Sequence, residues 1–151
     1  MRIEKISDKD SIPYHLLLLA DETTDAIDKY IHDSGIYTIK ANGGESIGVY
    51  VLRQVNKDTA EIKNIAVAEA FQNRGIGRLL IDDAIARARE AGYREIIVGT
   101  ADTGTRQLRF YEKNGFEVFD IKKDFFISNY PQPIYEHGIQ LKDMIMLRKQ
   151  I

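Results

Sequence analysis

The sequence has 151 residues, a formal net charge of -2 and no cysteine. This length predicts one domain over residues 1–151 that can bury a hydrophobic core, and the balanced charge argues against nucleic acid as a main partner. The lack of cysteine excludes disulfides and a cysteine acyl intermediate. The longest apolar run is too short to cross a membrane and no signal peptide is evident, so we expect a cytoplasmic protein with no membrane partner.

The first part of the chain predicts one strand followed by two helices. Residues 2–7 alternate isoleucines with charged residues, as a short strand does. Ser11 is positioned to cap a helix over residues 14–20, whose four leucines we expect to be mostly buried. Thr24 is positioned to cap a second helix over residues 25–34.

Three strands follow. Residues 36–41 and 45–55 are rich in β-branched side chains, and the glycine-containing sequence at 42–44 predicts the turn of a hairpin. Residues 61–67 predict a fourth strand, which leads directly into a glycine-containing loop.

That loop, residues 72–77, precedes an amphipathic helix in which apolar side chains recur every three or four residues. Gly75 and Gly77 allow a sharp turn and a close approach of a ligand to the backbone. The first amides of a helix have no intrahelical acceptor and lie at the positive end of its dipole, which favours phosphate. Gly92 is well placed to end this helix in a left-handed cap.

The rest of the chain alternates strands and helices until its last quarter. Residues 94–99 and 116–119 predict strands on either side of a helix over residues 107–114. The segment 122–142 is aromatic and irregular, and residues 143–148 predict a final strand. Antiparallel hairpins followed by β-α-β-α-β indicate a mixed sheet with helices on its faces.

Two motifs resemble those of the GNAT superfamily of N-acetyltransferases. The sequence from Gln72 to Gly77 matches the Gln/Arg-x-x-Gly-x-Gly pattern of the acyl-CoA loop, and the sequence from Phe110 to Phe116 resembles a second family motif. The resemblance implies an α/β (α+β) fold: a mixed, mostly antiparallel sheet of about seven strands, splayed between strands four and five, with helices on both faces. It also implies a single acyl-CoA N-acyltransferase domain. The tail resembles a small bacterial subgroup, some of whose members are labelled indoleacetic acid acetyltransferases.

The resemblance implies acetyl-CoA as the cofactor, with no metal. The family holds the pantetheine arm on the free edge of the fourth strand and the pyrophosphate in the glycine loop. Carried over by position, the strand residues are Ile65, Ala66 and Val67, and the loop residues are Gln72, Asn73, Arg74, Gly75, Ile76, Gly77 and Arg78. The sequence departs from the family pattern at Gly104 and Gln107, where many members carry an asparagine and a small residue.

The family motif places a proton donor for the departing thiolate at Tyr111. The alternative role for Tyr111 is packing beside Phe110 and Phe116. Glu61 stands where some members carry a glutamate that removes the proton of the amine, and the alternative is a solvent-facing residue paired with Lys63.

The amine acceptor is expected between the first two helices and the segment 122–142. Asn64 precedes the acyl-binding stretch and is a candidate for lining this cleft. An aromatic set with one carboxylate suits a small cationic or aromatic amine. The alternative for the aromatic set is a second hydrophobic cluster or the contact of a homodimer. The candidates are Tyr30, Phe125, Phe126, Tyr130, Tyr135, Glu136 and His137.

The sequence therefore predicts an N-acetyltransferase that moves an acetyl group from acetyl-CoA to a small-molecule primary amine by direct attack in a ternary complex. Three rivals stay open: a non-catalytic acyl-CoA sensor, a protein or peptide N-acetyltransferase, and a nucleotide-binding module of another class. The three histidines have no metal-ligand spacing, which agrees with the expectation of no metal.

Overall fold

The computed structural model describes residues 2–151, in which nine strands and five helices are found. The strands are β1 Ile3–Lys5, β2 Gly35–Lys40, β3 Ser46–Gln54, β4 Thr59–Val67, β5 Glu95–Ala101, β6 Glu117–Lys122, β7 Tyr135–Glu136, β8 Ile139–Gln140 and β9 Met144–Gln150. The helices are α1 Tyr14–Leu17, α2 Thr24–Ile31, α3 Ile76–Glu90, α4 Thr105–Lys113 and α5 Phe125–Ser128.

Seven of these strands form one sheet in the order β1-β2-β3-β4-β5-β9-β6, and β7 pairs with β8 in a separate hairpin. Every neighbouring pair in the large sheet is antiparallel except β4 with β5, which is parallel. The predicted mixed, mostly antiparallel sheet of seven strands is therefore confirmed.

The parallel strands β4 and β5 separate part of the way along their length. Their pairing runs from Thr59 with Glu95 to Ile62 with Val98 and goes no further. Beyond that point β4 stays paired with β3 as far as Val67. The edge of β4 that would face β5 is thus left open, which confirms the predicted splay between the fourth and fifth strands.

Helices cover both faces of the sheet. On β3, the side chains of Val49 and Val51 pack with those of α1 and α2. Tyr50 and Leu52, which alternate with them, pack with the cluster that contains α3 and α4. Successive side chains of a strand point to opposite faces, so the sheet separates two hydrophobic clusters.

Helix α3 begins and ends as its glycines predict. Gly75 precedes it with φ +83° and Gly92 follows it with φ +92°, both in the left-handed region. Asp83 pairs with Arg87, one turn further along the same helix, at 2.8 Å, and the hydroxyl of Tyr50 on β3 donates to the same Asp83 oxygen at 2.6 Å. The bond from Tyr50 joins the helix to the sheet.

The first predicted helix is shorter than expected. Asp8, rather than Ser11, accepts a backbone hydrogen bond, and it does so for a 3-10 turn over residues 9–11. Helix α1 then has four residues and no side-chain cap, so only its first leucines face the sheet. The expectation of four mostly buried leucines is wrong for Leu18 and Leu19, which are 42% and 50% exposed.

The second helix begins one residue earlier than expected. Thr23, rather than Thr24, is its N-cap and accepts from the amide of Ala26 at 3.0 Å. It ends at Ile31, and Gly35 belongs to the next strand. Within the described residues, none of the helices combines the length and apolar character needed to cross a membrane.

Candidate active site

The separation of β4 from β5 opens a cavity of about 490 Å³. One side is formed by the connection between α1 and α2 together with α2 itself. The segment that contains α5 and the β7–β8 hairpin covers another side, and α4 contributes Gln107 and Tyr111. This is the place where the sequence predicted the acceptor cleft.

A second cavity, of about 570 Å³, lies between the loop before α3 and helix α4. It contains most of the loop residues that the motif assigned to the pyrophosphate. The two cavities share six lining residues, so they meet along the open edge of β4 and beside one tyrosine. The shared residues are Ile65, Ala66, Val67, Gln72, Gln107 and Tyr111.

The loop before α3 is shaped to bind an anion. Asn73 and Gly75 both have left-handed backbones, with φ +62° and +83°. Within residues 2–151, the amides of residues 73–78 find no hydrogen-bond acceptor. A Cβ at Gly75 would meet no heavy atom within 4 Å, so the space in front of this turn is open. Unpaired amides at a helix N-terminus suit phosphate oxygens.

Three arginines add positive charge around the loop. Arg106, on α4, donates to the side-chain oxygen of Asn73 at 2.6 Å, and the Arg74 guanidinium lies 5.3 Å from the centroid of the Phe71 ring. Arg78 is 3.9 Å from Asp82 on the next turn of α3. Both residue types and backbone geometry therefore fit the pyrophosphate of acetyl-CoA.

Tyr111 lies where the two cavities meet and is only 5% exposed. Its ring makes edge contacts with Phe110 and Phe116, at centroid distances of 5.3 Å and 5.7 Å. Its hydroxyl has no hydrogen-bond partner in the described part of the chain, and burial raises the pKa of Tyr111. The phenol thus stays protonated at neutral pH and can donate.

Glu61 does not line either cavity. It lies opposite Ile97 in the part of the sheet where β4 and β5 are still paired, before the strands separate. Its carboxylate is 3.6 Å from Lys63 Nζ. This is the ion pair that the sequence offered as the alternative to a catalytic role.

A chain of hydrogen bonds runs along one side of the acceptor cavity, from the buried Asn64 to the partly exposed Asp21. Asn64 donates from its amide nitrogen to the carbonyl of Leu17 at 3.0 Å and to the hydroxyl of Tyr30 at 3.1 Å. Tyr30 in turn donates to Asp21 at 3.1 Å, and Tyr130 donates to the other oxygen of Asp21 at 2.7 Å. The predicted substrate residues Tyr30 and Tyr130 are therefore joined through one carboxylate, and Asn64 is joined to them through Tyr30.

The predicted aromatic set divides between the cavity and the surface. Tyr30, Tyr130, Phe125 and Phe126 line the cavity, as does Glu136. Neighbouring side chains of a strand point in opposite directions, and Tyr135, beside Glu136 in β7, is 61% exposed and lies outside the cavity. His137 also lies outside it, in a left-handed turn with φ +50°.

Two carboxylates of the cavity, Asp21 and Glu22, were not among the predicted site residues. In the sequence they follow a leucine-rich stretch and read as the end of a helix, since nothing in their spacing links them to a tyrosine 109 residues away. Gln107 was visible only as a departure from the family motif. Among the described residues, no group of three or more His, Cys, Asp or Glu is placed to hold a metal ion.

Comparison with known proteins identifies the relatives of this chain. The model of the acetyltransferase (GNAT) family matches residues 4–116. The uncharacterized N-acetyltransferase YvbK of Bacillus subtilis is 42% identical over 147 residues, which are 97% of this chain and 94% of the relative. A GNAT family acetyltransferase from Elizabethkingia anophelis, solved with acetyl-CoA bound, is 46% identical with a TM-score of 0.95 over 99% of this chain and 97% of that one. The IAA acetyltransferase from Bacillus cereus is 42% identical with a TM-score of 0.92 over 99% of both chains.

Proposed function

Because the chain belongs to the GNAT family of acetyltransferases, we propose that it moves the acetyl group of acetyl-CoA to a primary amine of a small molecule. The observation that carries this proposal is the junction of the two cavities. Tyr111 and the open edge of β4 line both of them, so an amine in one cavity reaches a thioester held in the other. Transfer then needs no covalent intermediate on the protein.

Acetyl-CoA supplies an activated acetyl group and a leaving group of moderate pKa. We assign its pyrophosphate to the amides of residues 73–78, with Arg74, Arg78 and Arg106 as counter-charges. The open edge of β4 at Ile65, Ala66 and Val67 offers backbone groups to the pantetheine arm, and Gln72 fixes the loop beside this edge by donating to the carbonyl of Val67 at 3.0 Å.

The reaction requires two proton movements. An aliphatic amine has a pKa near about 10, so the ammonium must lose a proton before its nitrogen can form the new C–N bond. As the C–S bond breaks, Tyr111 gives its phenolic proton to the departing sulfur and regains one from the nitrogen by way of solvent. The role of Glu61 as the base that takes the amine proton stays a prediction. Its carboxylate lies beside Lys63 and does not line the cavity.

A small acceptor is favoured over a peptide by the way the cavity is covered. The bond from Tyr130 to Asp21 joins the segment 122–142 to the connection between α1 and α2, and both of these segments line the cavity at the splayed strands. A protein substrate would need an open groove there.

We also propose that residues 1–151 act as one domain. A homodimer stays a prediction; the surface it would cover is the exposed apolar part of edge strand β6 and the β7–β8 hairpin. Its side chains are Val118, Phe119, Ile121, Tyr135 and Ile139.

The proposal is tested by binding followed by turnover. A thermal-shift titration should show stabilisation by acetyl-CoA and CoA, but not by ATP or NAD, of about 2.7 kcal/mol at a hundred times the dissociation constant. Release of CoA should then depend on an added amine. A sensor would bind acetyl-CoA and release no CoA with any amine, which would overturn the enzymatic proposal.

A further inference from the structure

The mouth of the acceptor cavity carries carboxylates without matching cations. Asp21, Glu22 and Glu136 all line it, and no lysine or arginine of the described chain lies within ion-pair distance of them. Glu22 and Glu136 are exposed at the mouth. Glu136 has one weak partner, the Thr103 hydroxyl at 3.5 Å.

The cations of the same cavity do not neutralise this group. Lys63 is 3.6 Å from Glu61, and Arg53 is 3.9 Å from Asp33, so each faces a carboxylate that does not line the cavity. Lys29 is the remaining cation of the cavity wall. Within the described residues, the cavity is therefore lined by three carboxylates that have no ion-pair partner and by one ammonium, that of Lys29, that has none either.

The three carboxylates Asp21, Glu22 and Glu136 are close enough for their negative charges to repel one another. The pKa of Glu22 is raised, first by its partial burial and then by repulsion from Glu136 and Asp21. Such repulsion is relieved when a cation binds among the carboxylates, since opposite charges at short range favour the ionised form.

An unpaired hydrogen-bond acceptor at the buried end of the cavity indicates a ligand independently of the carboxylates. Asn64 is only 5% exposed, and its side-chain oxygen has no hydrogen-bond partner among residues 2–151. Its amide nitrogen is already used by Leu17 and Tyr30, so the oxygen is fixed as an acceptor that needs an N–H or O–H donor. A bound primary amine brings such a donor.

The wall between the deep end and the mouth is aromatic. Phe126 stacks on Tyr130 with ring centroids 5.8 Å apart, and Phe125 meets Phe126 edge to face at 5.2 Å. This wall gives a methylene chain an apolar surface and gives a cation a favourable ring face.

Building on the proposed acetyl transfer, we propose that the acceptor is a diamine. The amine that reacts donates to the oxygen of Asn64, which precedes the junction residue Ile65 on β4, and the second amine stays protonated among Asp21, Glu22 and Glu136. The methylene chain between them lies along Phe126 and Tyr130. The C–N bond forms only at the inner nitrogen, so one acetyl group is transferred per binding event.

The test compares acceptors of one carbon length that differ only at the outer end. CoA release is measured with an α,ω-diamine, the corresponding monoamine and the corresponding ω-amino acid, over a series of chain lengths. We expect kcat/KM for the best diamine to exceed that of its monoamine by about tenfold or more, and the ω-amino acid to be poorer still. Equal values for diamine and monoamine, or a preference for the ω-amino acid, would overturn the proposal.

Variants locate the second amine. Glu136→Gln and Glu22→Gln should each raise KM for the diamine several-fold and by a larger factor than KM for the monoamine, so that the preference for the diamine falls, while Glu45→Gln, in the β2–β3 turn outside the cavity, should leave this preference unchanged. A thermal-shift titration with CoA checks that each variant folds and binds the cofactor. If the wild type binds acetyl-CoA and acetylates monoamines as well as diamines, the diamine proposal alone fails; if it acetylates no amine, the enzymatic proposal fails with it.

Discussion

The hydroxyl of Tyr130 donates a 2.7 Å hydrogen bond to Asp21, a residue 109 positions earlier in the chain. The other oxygen of Asp21 accepts from Tyr30 at 3.1 Å. The Asp21 carboxylate thus holds the segment 122–142, on one side of the acceptor cavity, against helix α2 and the connection that precedes it.

Removing the Tyr130 hydroxyl should weaken the contact between the segment 122–142 and Asp21. We expect Tyr130→Phe to lower the free energy of unfolding by about 1–2 kcal/mol, because a hydrogen bond to a charged group is lost while Asp21 keeps the bonds from the Tyr30 hydroxyl and the Glu22 amide. KM for the amine should rise more than KM for acetyl-CoA. Denaturant unfolding and steady-state kinetics measure these effects. Tyr93→Phe is the control, since Tyr93 lies outside both cavities; an equal effect of both variants would contradict this role for Tyr130.

Tyr111→Phe tests the proton donor. The ring and its contacts with Phe110 and Phe116 are kept, so we expect unfolding and acetyl-CoA binding to change little. We expect kcat to fall by about 10²–10⁴, the usual contribution of general acid catalysis. An unchanged kcat would leave Tyr111 with the packing role alone.

Gly75→Ala tests the phosphate loop, with Gly44→Ala as a matched control. Both glycines have left-handed backbones, at φ +83° and +87°, and a Cβ at either would meet no atom within 4 Å. Both variants should therefore lose about 1–2 kcal/mol of stability from backbone strain. Only Gly75→Ala should also weaken CoA binding, because its methyl group occupies the space in front of the loop. Equal CoA affinity in the two variants, measured by calorimetry, would argue against the assigned pyrophosphate site.

Glu22→Gln should change how stability depends on pH. The pKa of Glu22 is raised in the folded protein, by partial burial first and then by Glu136 and Asp21, so the ionised carboxyl opposes folding above its folded pKa. This cost disappears as the pH falls below the pKa of the unfolded chain. We therefore expect the variant to have a higher Tm than wild type at about pH 8 and no advantage at about pH 4. A lower Tm for Glu22→Gln than for wild type at about pH 8 would contradict the repulsion.

The mixed sheet and helix α3 were predictable from local sequence patterns, whereas the splay between the fourth and fifth strands was implied by the family resemblance. The helix α3 repeats its apolar positions over fifteen residues and is bounded by Gly75 and Gly92. The length of helix α1 was overestimated, since four consecutive leucines suggest a longer buried helix. The observed helix has a single turn, which directs only Leu16 and Leu17 toward the core.

The candidate site was predictable where it rests on a contiguous motif and less so where it rests on distant contacts. The loop at 72–78 and Tyr111 lie together because each motif is short and the sheet aligns the two. Asp21 enters the site only through bonds from Tyr30 and Tyr130, which no periodicity reveals. The orientation of Tyr135 away from the cavity depends on the register of a two-residue strand, which sequence patterns do not fix.

The most direct test of direct transfer in a ternary complex is an initial-rate study in which acetyl-CoA and an acceptor amine are varied together. We propose that both substrates are bound before the C–N bond forms, because the two cavities meet at Tyr111 and the chain has no cysteine to carry an acetyl group. We expect double-reciprocal lines that intersect. Parallel lines, with an acetylated protein detected by intact mass after incubation with acetyl-CoA alone, would contradict direct transfer.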